Sequence, residues 1–230
     1  MSLRIEDLSF SWPGQPEPLL KCPELHVKSG EKVFLQGASG SGKTTLLGLL
    51  GGVLLPQRGQ IFVLDTPLHK LSAPERDRFR ADHIGFIFQM FNLLPYLSVM
   101  GNVLLPLRFS REKQKRLQRE AEEEAQRLLS SLGLDSVSDR QVQDLSVGQQ
   151  QRVAAARALI GAPELIIADE PTSALDADSR EAFLELLFTE ISRSRSTLIY
   201  VSHDPGIASV FDRNLSMHTF HSDLQKDPSS

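Results

Sequence analysis

Gly37-Ala38-Ser39-Gly40-Ser41-Gly42-Lys43-Thr44 fits the spacing G-x-x-x-x-G-K-[ST]. A triphosphate crowds several negative charges together, so a loop that wraps it must turn successive backbone N–H groups inward. Glycines permit this because they tolerate unusual dihedrals and leave space. Lys43 then offers a point charge to the β- and γ-phosphates and Thr44 a hydroxyl to Mg²⁺, while the N-terminus of a following helix adds partial positive charge. A second constellation is Leu165-Ile166-Ile167-Ala168-Asp169-Glu170. Four apolar residues make a buried strand whose C-terminal end carries two carboxylates. Asp169 can hold Mg²⁺, directly or through water, and Glu170 can orient and polarise an attacking water.

Both constellations need a scaffold. Val33-Phe34-Leu35 is a continuous apolar run before the glycine loop, and Lys43 to Leu50 has helical composition, so the order is strand, phosphate loop, helix. Leu3, Ile5 and Phe10, then Leu25 and Val27, suggest half-buried strands flanking the Pro13–Pro18 turn region. Further strands are expected at Gln60–Leu64, Ile84–Phe88, Leu165–Ala168, Leu198–Val201 and Leu215–Phe220. Strands alternating with helices after residue 30 predict an α/β core with a largely parallel sheet. The segment from about 90 to 150 reads as a helical insertion. Within it, Leu117, Ala121, Ala125, Leu128 and Leu132 predict one amphipathic helix from Glu112 to Leu132, stopped by Gly133. Helices are also expected between Gly148 and Gly161 and over Ala177–Ile191, and His221–Ser230 as a loose polar tail.

Composition sets outer limits. The chain has 230 residues, 40% hydrophobic and 23% charged, and 25 Lys+Arg against 29 Asp+Glu leave a net charge of −4. That is globular composition without the basic excess of a general nucleic-acid binder. The basic run Arg111–Arg119 beside the acidic Glu120–Glu124 reads as a solvated helix face laced with ion pairs. One cysteine, Cys22, excludes an intramolecular disulfide framework and a multi-cysteine zinc site. No uncharged stretch reaches the roughly 20 residues that span a bilayer, so the chain is expected to be soluble by itself.

A third element narrows the reading. Leu145-Ser146-Val147-Gly148-Gln149, followed by Gln150-Gln151-Arg152, resembles the signature of the nucleotide-binding subunits of ATP-binding cassette (ABC) transporters. The resemblance covers nearly the whole chain, with its elements in family order. It implies a phosphate-loop NTPase core with an N-terminal antiparallel β-subdomain and a helical insertion carrying the signature. The chain would be a single domain with its core at about 1–89 and 153–220, its helical part at 90–152 and its tail at 221–230.

The resemblance also implies roles. Gly37 to Thr44 and Thr45 would bind ATP. Ser146, Gly148 and Gln149 would cap the γ-phosphate held by a second copy's phosphate loop, so that two ATP molecules lie between head-to-tail subunits. Gln89 would sense Mg²⁺ and the attacking water, alongside Thr44 and Asp169 as metal ligands. Asp176, in Ser173-Ala174-Leu175-Asp176, would couple the two ATP sites, His203 would contact the γ-phosphate beside the catalytic Glu170, and Trp12 would stack on adenine. Val147 stands where the family has glycine, so either that position needs no special backbone or the cap is weakened.

Met90 to Leu107 is too apolar for an exposed connector, and in the family this region receives the coupling helix of a membrane permease. Its wording is most similar to the lipoprotein-releasing and macrolide-exporting branch, although Gly101 replaces an acidic residue there. The resemblance therefore implies an ATP-hydrolysing homodimer on the cytoplasmic face of the membrane, driving a separate integral-membrane partner and binding no nucleic acid. The alternative is a regulatory ATPase that acts on a membrane partner without transport, similar to the cell-division relative.

Overall fold

The computed structural model describes residues Met1–His221, so most of the tail expected at His221–Ser230 lies outside the described residues. Two sheets form the frame. The antiparallel one has the order β2-β1-β4-β5, from β1 (Leu3–Phe10), β2 (Leu20–Val27), β4 (Arg58–Val63) and the short β5 (Thr66–Pro67). The parallel one has the order β6-β7-β8-β3-β9, from β3 (Lys32–Gln36), β6 (Ile84–Ile87), β7 (Leu165–Asp169), β8 (Thr197–Ser202) and β9 (Arg213–Ser216).

The inner strands of the parallel sheet, β7, β8 and β3, are apolar on both faces because both faces are covered. Val33, Leu35, Leu165, Ile167, Ile199 and Val201 share a core with the antiparallel sheet and with Leu46, Leu47, Leu49 and Leu50 of α1 (Lys43–Leu50). Their alternates Phe34, Ile166, Ala168, Leu198 and Tyr200 face a second core. That core is built with α3 (Val99–Leu104), α5 (Ala121–Ser131), α6 (Val147–Leu159) and α7 (Ala177–Ser194). Cys22 is buried in the first core, where burial pushes its thiol up to about 11. Its role is packing.

The strands and most helices lie where the sequence places them, with two corrections. The stretch from Glu112 to Leu132 is two helices, α4 (Arg111–Arg116) and α5, separated by an extended Leu117. Apolar spacing continues across the break, but α4 is drawn to the body by polar contacts that periodicity does not register. Lys113 Nζ donates to the Ile84 carbonyl at 3.0 Å, and Arg116 donates to the Asp82 carbonyl at 2.8 Å and to Glu164 at 2.9 Å. The mixed charges around this break are spent on ion pairs, including Arg119–Glu124 and Arg127 with both Glu124 and Glu190.

The second correction is that Leu215–Phe220 is a strand only to Ser216. Met217–Phe220 turns into a 3₁₀ helix whose Met217 and Phe220 are buried. A helix the strand-based reading passed over, α2 (Ala73–His83), begins after Ser72, whose backbone N and Oγ both donate to Glu75 Oε2, at 2.8 and 2.6 Å. Its signal, S-x-x-E with proline in the first turn, stands in the sequence.

Candidate active site

In a parallel sheet the residues just beyond the C-terminal strand ends share one edge. The register aligns Gln36 with Ser202, Asp169 with Val201 and Ile87 with Ala168. The phosphate loop, Glu170, His203 and the Phe88–Gln89 turn therefore emerge side by side, although they are spread over more than half of the chain.

The loop has the conformation its glycines predict at two points. Gly40 and Gly42 have φ of 78° and 84°, in the left-handed region. Gly37 is glycine for another reason. A Cβ there would lie 2.4 Å from Met217 Cγ, so the buried 3₁₀ turn after β9 closes over the start of the loop. The first amide of α1 region to find a helical carbonyl is that of Leu46, on Gly42 O at 2.9 Å. The amides of Lys43, Thr44 and Thr45 thus open at the helix N-terminus. Ser41 Oγ is buried without a hydrogen-bond partner among the described residues, as expected of a group built to meet a polar ligand.

Lys43 is only 7% exposed. Its Nζ folds back over the loop, donating to Gly37 O at 2.8 Å and Ala38 O at 3.0 Å, and it lies 3.0 Å from Glu170 Oε1. Glu170 Oε2 is 2.9 Å from His203 Nδ1. A carboxylate only accepts, so that ring nitrogen carries the hydrogen and leaves Nε2 open. Burial raises the Glu170 carboxyl, but Lys43 and then His203 outweigh it and hold it below the usual range. Asp169 goes the other way. Burial and the neighbouring Glu170 charge raise its carboxyl, against the opposing pull of Lys43 and a hydrogen bond from Thr44.

Two adjacent carboxylates are thereby split in character, a recurrent mark of functional sites. Thr44 and Asp169 also border a cavity of about 410 Å³ shared with Thr45, Phe88 and Trp12. Trp12 packs edge-on against Phe10, with centroids 5.3 Å apart, and remains 41% exposed. Its free ring area thus lies beside the loop.

The signature residues lie elsewhere. Ser146 caps α6, accepting from Gln149 N at 3.3 Å while Gln149 Oε1 accepts from Ser146 N at 3.0 Å. The Ser146 hydroxyl keeps its hydrogen available as a donor. Val147 is the first helical residue and is absent from the left-handed residues, so a β-branched side chain costs no special backbone there. Gly148 has room for a Cβ on this side, the nearest atom being Leu175 Cδ2 at 3.7 Å. No hydrogen bond joins these residues to the chain's own phosphate loop among the described residues.

Asp176 has a local task as the N-cap of α7, accepting from Ser179 N at 2.8 Å and Ser179 Oγ at 3.0 Å. Gln89 is exposed in the turn beyond β6.

A profile described as "ABC transporter" matches residues 20–173, which include the phosphate loop, Gln89, the signature, Asp169 and Glu170. The chain belongs to the ABC transporter family. This ABC cassette is 41% identical over 201 residues to the macrolide export ATP-binding/permease protein MacB of Rhodopirellula baltica, covering 87% of the chain but 29% of that relative. It is 40% identical to the bacitracin export ATP-binding protein BceA of Halalkalibacterium halodurans, over 86% of the chain and 76% of the relative. Among solved structures it is similar to the dimeric post-hydrolysis state of the ATP-binding cassette MJ0796 bound to ADP and Pi. That match has a TM-score of 0.81 and 33% identity, and covers 93% of each chain. The cassette is an ABC-type ATPase with the fold that the resemblance implies.

Two pairings that motif reading did not register brace the site. The Thr172 hydroxyl and Tyr200 phenol are 2.6 Å apart in the interior, tying the chain after Glu170 to β8. Arg180 of α7 pairs with Asp204, next to His203. The signal for the first is a lone phenol in an apolar strand, which must find a partner; which partner depends on strand order.

Proposed function

We propose that this cassette binds ATP at Gly37–Thr45, hydrolyses it between its own phosphate loop and the signature of a second copy, and drives a separate integral-membrane permease. The observation that carries the reading is the convergence of Lys43, Glu170 and His203 at one sheet edge. Lys43, the open amides of α1 and Ser41 would hold the phosphates, and Trp12 would stack on the base. Thr44, Asp169 and Gln89 have the oxygen donors a divalent cation requires. Mg²⁺ held by them would neutralise charge on the β- and γ-phosphates.

Once Lys43 turns to phosphate, Glu170 is released to orient water, and His203 offers Nε2 toward the γ-phosphate. The second copy's Ser146, Gly148 and Gln149 would close the site, and Asp176 would lie between the two nucleotides. Support for a pair of copies is the dimeric state in which MJ0796 was solved. Support for a membrane partner comes from MacB, an export ATP-binding/permease protein, and from BceA, an ATP-binding protein of bacitracin export. No helix among the described residues is long and apolar enough to cross a membrane, so attachment to the inner face would run through the permease. Export of a lipoprotein, lipid or macrolide-type compound fits the branch that the Met90–Leu107 wording resembles.

The deciding experiment is purification of the chain with its membrane partner, followed by reconstitution into vesicles. ATP-dependent movement of cargo is the expected result. Hydrolysis that responds to the partner but moves nothing would replace transport with the regulatory reading.

A further inference from the structure

Arg157 lies in the last turn of α6 and is 9% exposed, yet no carboxylate pairs with it among the described residues. Burying an unpaired guanidinium is costly, so its hydrogen bonds must return something specific. They go to two consecutive backbone carbonyls: Nη1 donates to Asn92 O at 2.6 Å and Nη2 to Phe91 O at 2.5 Å. Phe91 and Asn92 have φ of 58° and 51°, two successive non-glycine residues in the left-handed region. Such a pair is held only where the surroundings over-determine it.

The rest of this connection is fixed in the same manner. Asn102, fully buried, accepts from Leu94 N at 2.8 Å and donates to Leu94 O, Leu97 O and Ser98 O. The chain between Gln89 and α3 is therefore clamped through its backbone, at its near end by Arg157 and at its far end by Asn102. The helix that carries Arg157 begins at Ser146. At 1.5 Å per residue, about 16 Å of rigid helix separates the two.

We propose that Arg157 is a positioning residue, which holds the strained Phe91–Asn92 turn so that Gln89 is presented to the nucleotide, and which ties that turn to the helix carrying Ser146. One element would then report signature movement to the Gln89 loop. The inference rests on the reading of Gln89 given above. Lysine cannot form the paired contact, because its ammonium is a single point rather than a planar fork.

The test compares Arg157→Lys with the unmodified chain in ATP turnover and in amide exchange over residues 88–94, each with and without Gln89→Ala. Exchange over 88–94 should rise by about tenfold while that of α1 is unchanged. Turnover should fall by about tenfold with the KM for ATP nearly constant, and that loss should shrink to less than about twofold in the Gln89→Ala background. Unchanged exchange at 88–94, or an equal loss in both backgrounds, would overturn the proposal. Normal turnover by Gln89→Ala alone would instead sink the Gln89 assignment, and the exchange result would still judge the clamp. If Arg157→Lys does not fold, Asn92→Gly, which accepts the left-handed φ without strain, should restore folding. A double variant that still fails to fold would assign Arg157 to the core and overturn the proposal.

Discussion

Glu170 stands between Lys43 and His203, with Oε1 3.0 Å from Nζ of the one and Oε2 2.9 Å from Nδ1 of the other. The phosphate-loop cation and the carboxylate proposed to activate water thus neutralise each other in this arrangement. Glu170→Gln keeps the shape and the Lys43 contact but cannot accept a proton from water. It should retain ATP affinity within about threefold and lose turnover by at least about a hundredfold, accumulating an ATP-bound dimer. Turnover assays and size-exclusion chromatography with ATP would show it, and normal turnover would remove Glu170 from its role.

Lys43→Ala should act on binding instead. Loss of the buried cation over the loop should weaken ATP affinity by at least about tenfold, read by calorimetry. Unchanged affinity would contradict the phosphate-loop role. The variant also leaves the partly buried Glu170 carboxylate without its main cation, so the Glu170 carboxyl should titrate at higher pH than in the unmodified chain.

Ser146 and Glu170 should belong to the same site only across a dimer. In mixtures of Ser146→Ala with Glu170→Gln chains, heterodimers carry one site with both defects and one with neither. Activity in the mixture should exceed the average of the two parent variants. A mixture that follows the average would place the signature and the glutamate in the same subunit's site.

Lys113 makes stability depend on alkaline pH. Its buried ammonium, held near Arg116 and on the Ile84 carbonyl, is lowered from 10.5 to about 8 by burial first and Arg116 second. Between these values the unfolded chain binds the proton and the folded chain does not, so stability rises with pH. Below about 8 both states carry it, and the full cost of burying the charge is present. Thermal unfolding from pH 7 to 10 should show this gain, at most about 3 kcal/mol, and Lys113→Met should abolish it. The same slope in both proteins would exclude Lys113 as its source.

Gly85 lets β6 and α6 meet. A Cβ there would fall 2.2 Å from the Ala158 carbonyl oxygen, next to Arg157. Gly85→Ala should cost about 2–3 kcal/mol in denaturant unfolding, because backbone must move rather than a side-chain tip. A loss below about 0.5 kcal/mol would show that α6 yields freely.

The phosphate loop, the Asp169–Glu170 strand end and the signature were legible because each is a contiguous run whose chemistry depends on local spacing. The strands were legible for a similar reason, since both faces of the parallel sheet are buried and leave uninterrupted apolar runs such as Leu165–Ala168. The break between α4 and α5 was not. Apolar spacing passes through Leu117 unchanged, and the interactions that bend the chain run from Lys113 and Arg116 to Ile84, Asp82 and Glu164.

By itself, then, the sequence determined which chemistry the chain carries and which elements hold it. Only the tertiary structure decided who meets whom. Strand order β6-β7-β8-β3 brings Lys43, Glu170 and His203 together, and the path of α6 sets Arg157 under Phe91 and Asn92. It also resolved Val147, which lies in the first turn of a helix where no left-handed backbone is required. These pairings depend on register and packing between segments distant in the chain, and neither is written in any one stretch of it.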